Sequence, residues 1–182
     1  MTPGFSDMQL FLSKGDVTCM TPTMKRAKSH GWGHCVCPDA GEPMLLPWFL
    51  DNGAFMAYRD GLPFPDDDFM GALEMAKTHA EPPEFVVVPD SVGNRPETLE
   101  MAAYWFPRLE GLPLYFAAQD EMTIKDYDLL ASYGAAGVFI GGTLEWKFSN
   151  GESICRWARS NSLKVHIGRI GSYKTITWAK YI

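Results

Sequence analysis

PEFVVVPDSVGNRPETLEMAAYWFPRLEGLPLYFAAQDEMTIKDYDLLASYGAAGVFIGG, residues 83–142, decides the fold of this chain. Three apolar runs, at 83–90, 114–119 and 137–142, are separated by two segments of helical character. The runs are short, rich in Val and Phe, and bounded by Pro or Gly, the pattern of a strand covered on both faces. RPETLEMAAYWFPRLEG (95–111) carries Pro96 and Glu97 in its first turn. TIKDYDLLASYG (123–134) opens on a Thr123 cap and closes on Gly134. A proline near the first helical position, a hydroxyl cap and a terminal glycine mark helix ends. Strands alternating with helices predict parallel βαβ units.

The same reading extends outward. Towards the N-terminus, MQLFLS (8–13) predicts a strand and residues 21–30 a helix, with Thr21 as cap and Pro22 at the first position. HCVC (34–37) is a weaker strand, Gly41 and Pro43 mark a loop, and WFLD (48–51) is an apolar run ending in aspartate. A helix over 66–79 places Phe69, Met70 and Leu73 on one face. Towards the C-terminus, 145–160 is a helix, KVHIG (164–168) a strand, and 172–182 a helix capped by Ser172. Seven strands, most followed by a helix, fit an α/β fold of the TIM (β/α)8 type lacking its last strand, as one domain over 1–182. An open doubly wound sheet is the alternative arrangement.

Composition narrows the class. Of 182 residues, 46% are hydrophobic and 21% charged, the balance of a globular chain. No run of 18 apolar residues predicts a membrane span, and the N-terminus shows neither a basic region nor a long apolar one. Cys19, Cys35, Cys37 and Cys155 form no paired CxxC motif, which predicts a reduced, cytoplasmic setting. His34 with Cys35 and Cys37 offers metal ligands, but packing along a short strand is the preferred reading, with Cys35 and Cys37 on one face. No metal and no cofactor is expected. The net charge of −6 conceals an asymmetry: residues 1–144 carry −11 and residues 145–182 carry +5. The basic stretch predicts a surface facing nucleic acid, with Lys147, Arg169 and Lys174 as phosphate contacts. A solvated helix face is the plainer alternative.

Polar groups recur where barrel enzymes keep their active residues, at the C-terminal strand ends. Asp51 ends WFLD, Asp90 ends FVVVPD, Gln119 ends YFAAQ, Gly141 and Gly142 end VFIGG, and His166 and Arg169 stand at the end of KVHIG. Each also has a structural reading: a cap or turn for the aspartates, a loop tie for Gln119, a tight turn for the glycines. Together they suit a flat heterocycle. Carboxylates accept from ring and amino N–H groups, and a carboxamide donates and accepts. Glycines let backbone N–H groups approach a carbonyl, and Phe55 offers a face for stacking.

DNGAF (51–55), VVVPDSVGN (86–94), AAQD (117–120), FIGGTLEWK (139–147) and VHIGRIGS (165–172) occur in this order. The set resembles the tRNA-guanine transglycosylase superfamily, and within it the phage and bacterial branch that inserts 7-deazaguanines into DNA. The resemblance runs from about residue 8 to the end of the chain. It implies that Asp51 is catalytic, handling the proton of the exchanging base. It implies that Asn52 and Phe55 beside it, with Asp90, Gln119, Gly141, Gly142 and His166, bind the substrate. Asp90 and Gln119 would read the amino and ring N–H edge, and Gly141 and Gly142 would meet the carbonyl. His166, Gly168 and Arg169 would stand beside the sugar. The chemistry implied is exchange of guanine through a glycosyl-enzyme ester.

The family's zinc cluster has no counterpart, which favours DNA over tRNA as partner. The family's nucleophilic aspartate follows a helix matching SYKTITWAKYI, whereas the sequence ends at Ile182. The expectation is therefore a chain that does not complete exchange alone and whose barrel is closed by a second copy or a partner chain. No membrane partner is expected, and a phage-encoded chain would work in the host cytoplasm. The alternatives are a tRNA substrate, or a non-catalytic base-binding or assembly subunit.

Overall fold

A computed structural model describes residues 8–13 and 22–182. Cys19 and the cap expected at Thr21 lie outside the described residues. The strands are β1 (Phe11–Ser13), β2 (Gly33–Val36), β3 (Trp48–Leu50), β4 (Val86–Val87), β5 (Leu114–Ala118), β6 (Gly137–Ile140) and β7 (Lys164–Ile167). The helices are α1 (Pro22–Ser29), α2 (Ala54–Arg59), α3 (Asp66–Thr78), α4 (Arg95–Trp105), α5 (Ile124–Ser132), α6 (Leu144–Ser160) and α7 (Tyr173–Ala179). All seven strands join one sheet in sequence order, and every neighbouring pair is parallel. A doubly wound sheet would reverse its strand order at a switch point; this one does not.

The sheet curls into a half-barrel flanked by helices. Side chains report the curl directly. Phe11 on β1 meets Phe49 on β3 at 5.1 Å between ring centroids and His166 on β7 at 5.7 Å. In a flat sheet, six strand spacings would hold β1 and β7 about 28 Å apart.

Period-two alternation sorts each strand into an inner and an outer row. Phe11, Cys35, Phe49, Phe85, Val87, Tyr115 and Phe139 point inward and pack on one another. Phe85 stacks between Phe49 at 4.4 Å and Tyr115 at 3.9 Å. Gly137 leaves the space that the Tyr115 ring takes, since a Cβ there would lie 2.5 Å from it. The outer row, with Trp48, Leu50, Val86, Phe116 and Ile140, packs under the helices in the main core.

The helices follow their sequence signals, with three departures. In α3, Phe69, Ala72, Leu73 and Ala76 are buried, but Met70 is exposed, against the expected face. One residue past Phe69 is a turn of about 100°, which carries Met70 off the core side. Helix α4 stops at Trp105 and continues as a 3-10 turn over Phe106–Leu109. Pro107 has no amide hydrogen and its ring clashes with the preceding turn, so the α-helix cannot run to 111. Helix α2 had no sequence signal; six residues long, it begins after Gly53, whose φ is 78°. The Asp126 carboxylate accepts from the backbone N–H of Thr123 at 2.7 Å and pairs with Arg95 at 2.6 Å, joining α5 to α4. No helix among the described residues is long and apolar enough to cross a membrane. The three described cysteines are free thiols.

Candidate functional site

The period that points Phe49, Ala117, Phe139 and His166 inward returns two residues later at Asp51, Gln119, Gly141 and Gly168. These positions stand on the inner face at the C-terminal mouth of the sheet. They line one cavity of about 1640 Å³, together with Asn52, Phe55, Asp90, Gly142 and Arg169. The volume exceeds the roughly 300–1,000 Å³ of a small-molecule pocket because the cavity continues down the interior to Glu84 and Lys164.

On the β3–β4 side, Asp51 Oδ1 accepts from the backbone N–H of Gly53 at 2.9 Å. Asn52, buried, donates from Nδ2 to the Val88 carbonyl at 2.9 Å and to Asp90 Oδ1 at 2.7 Å. Its own oxygen accepts from the Ala54 N–H at 2.9 Å. Asn52 therefore clamps β3 to β4 and caps α2; expected as a substrate contact, it is occupied by the scaffold. No hydrogen bond among the described residues ties the second oxygen of Asp51 or of Asp90. Burial raises the pKa of both carboxyls. Asp90 reaches about 6, burial outweighing the Asn52 hydrogen bond, with the Asp51 charge adding to the rise.

On the β5–β6 side the polar groups are engaged. Gln119 donates to the Ser91 carbonyl at 2.9 Å and to Thr98 Oγ1 at 2.6 Å, and accepts from the Gly93 N–H at 2.8 Å. It lines the cavity while its carboxamide ties down the loop after β4. Asp120 accepts from the backbone N–H and the hydroxyl of Thr143, both at 2.8 Å, and so holds the start of α6. The Gly141 N–H donates to the Ala118 carbonyl at 2.8 Å, so it is not available to a ligand. The Gly142 N–H has no partner among the described residues. Gly142 has φ 64°, and a Cβ there would meet the Trp146 ring at 2.6 Å and Asp120 at 2.7 Å. Only glycine fits this turn.

Three expectations on the basic side are corrected or redirected. Lys147 is 2% exposed, and its Nζ donates to the Gly168 carbonyl at 2.6 Å. It faces no surface phosphate. Burial, then the nearby Arg169, brings its pKa down to about 8. His166 lies within β7, not on the loop beyond it, and stacks on Phe139 at 5.0 Å. Burial among the rings, with Lys147 nearby, lowers its pKa to about 4, so the imidazole is neutral at pH 7. Arg169 turns inward: its guanidinium lies 4.0 Å over the Phe55 ring and donates to the Gly142 carbonyl. Of the expected phosphate contacts Lys147, Arg169 and Lys174, only Lys174 is an exposed cation on a helix, 5.9 Å from the Phe148 ring.

Sequence reasoning passed over Cys37 as a mouth residue, and Asp120 as the residue that holds α6 beside the mouth. Cys37 follows Cys35 on the inner face and lines the cavity as expected from the strand, but not from any motif. Asp120 had a signal, standing directly after Gln119 with a Thr cap on the next helix. The mouth can thus accept hydrogen bonds at two carboxylate oxygens, donate one at Gly142 N–H and stack a flat group on Phe55. No family model matches the chain, and no curated protein or solved structure gives a significant match.

Proposed function

We propose that this mouth binds guanine or a 7-deazaguanine, and that the chain is the base-recognising part of a transglycosylase acting on nucleic acid. One observation carries the reading: the open oxygens of Asp51 and Asp90 share a cavity with the free N–H of Gly142. A guanine-type base needs acceptors for its amino and ring N–H groups and a donor for its carbonyl oxygen. A buried array of this kind rejects a base lacking those groups, because its own atoms are then left unpaired. Asp90 accepts at the amino edge. Asp51, its proton held more tightly than usual by burial, handles the proton of the exchanging base. The contribution of Gln119 is indirect, through the loop it holds.

In this reading the seven strands are an arc of a (β/α)8 barrel. Among the described residues, β1 and β7 each pair on one edge only. A strand completing the barrel would bring the carboxylate that attacks the sugar C1′. That attack breaks the bond to guanine and leaves a sugar ester, which the incoming deazaguanine reverses. The ordered resemblance of FIGGTLEWK and HIGRIGS supports DNA over tRNA as the nucleic acid.

Calorimetry with guanine, a 7-deazaguanine and adenine tests the core of this. The first two should bind and adenine should not; equal binding of all three would end the reading. Base exchange on guanine-labelled DNA decides the role: binding of base without any exchange, with every partner present, makes the chain a non-catalytic subunit.

A further inference from the structure

Arg169 combines three features that its sequence position does not explain. It is a non-glycine residue at φ 54°, a backbone conformation that side chains other than glycine seldom adopt without cause. Its guanidinium lies 4.0 Å from the centroid of the Phe55 ring. It also donates to the carbonyl of Gly142, across the mouth from β7 to the end of β6. The side chain therefore spans three strand ends and covers the aromatic face that a ligand base would use. A base slipped between ring and guanidinium needs about 7 Å, two contacts of about 3.5 Å each. Arg169 and the base compete for the same face of Phe55.

What holds Arg169 there is weak enough to be reversed. One face of the guanidinium is stacked, one N–H is bonded to a carbonyl, and the residue as a whole is exposed. Asp90, Asp120 and Asp51 attract it, and among the described residues none forms a direct ion pair with it. A phosphodiester offers the guanidinium two oxygens in a matched fork, a stronger partner than a single carbonyl. The buried ammonium of Lys147 fixes the Gly168 carbonyl, so the loop has a firm base from which the side chain swings.

We propose that Arg169 is a gate on the base slot: stacked on Phe55 it closes the slot, and a nucleic-acid phosphate drawing it outward opens it. This rests on the base-binding reading and adds an order to it, backbone first and base second.

The test measures guanine and 7-deazaguanine binding calorimetrically, with and without a ten-nucleotide single-stranded DNA whose central site is abasic. Wild type should bind the base about tenfold more tightly when the DNA is present, on the order of the stacking and cation–π contact released. Arg169→Ala should bind the base tightly without DNA and gain nothing from adding it. Arg169→Lys keeps the charge and loses the plane, so it should also bind without DNA, which separates a gate from a general effect of charge. If wild type binds base and neither variant binds it more tightly, the gate is overturned and base binding stands. If no base binds to any of the three proteins under either condition, base binding itself falls and the gate with it.

Discussion

The two sides of the mouth use the same residue types to opposite ends. On the β5–β6 side, Gln119 and Asp120 direct their side chains at Ser91, Gly93, Thr98 and Thr143, and every contact serves the scaffold: the loop after β4, α4 and the start of α6. On the β3–β4 side, Asp51 and Asp90 each keep an oxygen without a bond, in surroundings that resist their charge. A polar group whose bonds are all made within the protein is spent on the fold, whereas the open oxygens of the half-buried Asp51 and Asp90 are available to whatever enters the cavity. The comparison separates scaffold from site within one ring of strand ends.

The sharpest way to break it is Gln119→Leu. Three hydrogen bonds are lost and the Gly93 N–H and Thr98 hydroxyl lose a partner, so stability should fall by about 3 kcal/mol. Urea unfolding reads this; a loss below about 1 kcal/mol would mean that Gln119 is not scaffold. Asp90→Asn should do the reverse. Its Oδ1 still accepts from Asn52 and the charge that burial disfavours is gone, so at pH 7 the fold should be no less stable than wild type, while guanine affinity should drop by roughly 1–3 kcal/mol because an acceptor has become a donor. Equal affinity in wild type and variant removes Asp90 from the site.

pH sharpens the contrast, because two carboxylates should titrate with opposite sign. Asp90 has a folded pKa raised to about 6, so its contribution is fully present below the unfolded value of about 3.9 and is lost as pH rises through 6. Asp126, beside Arg95, is lowered to about 2; its contribution is present above about 3.9 and is lost as pH falls through 2. Unfolding midpoints between pH 4 and 7 should therefore flatten in Asp90→Asn and keep their wild-type slope in Asp126→Asn. The smallest effect concerns the basic side. Lys174→Ala should lower the salt slope of DNA binding by about one, and Lys147→Met should leave it unchanged. A slope that moves in Lys147→Met and not in Lys174→Ala would reverse the assignment of surface and interior.

Much of this was legible in the residues. The strand runs around Val86, Phe116 and Val138 are apolar on both parities because both faces of a parallel sheet are covered, and that alone announces the fold class. Asp51, Asp90 and Gln119 stand at strand ends in the sequence and at the mouth in the structure. The β2 strand is weak in the sequence and α2 gives no signal there, because four and six residues carry too little periodicity. The function of Gln119 was ambiguous for a different reason: one carboxamide can read a base or tie a loop, and nothing within a few residues decides between them.

The sequence by itself determined the alternation of strand and helix, the sidedness of each strand, and which residue types arrive at the mouth. Those follow from local periods of 2 and 3.6, which any short window contains. Only the tertiary structure decided that Lys147 is buried under the Gly168 carbonyl, 21 residues away, and that His166 lies among the rings of Phe11, Phe49, Phe85 and Phe139. It also decided that the guanidinium of the exposed Arg169 lies over Phe55, more than a hundred residues back along the chain. A long cationic side chain can reach several ångströms in any direction. Where it goes is set by the partners that the curl of the sheet brings within reach, and no local window contains them.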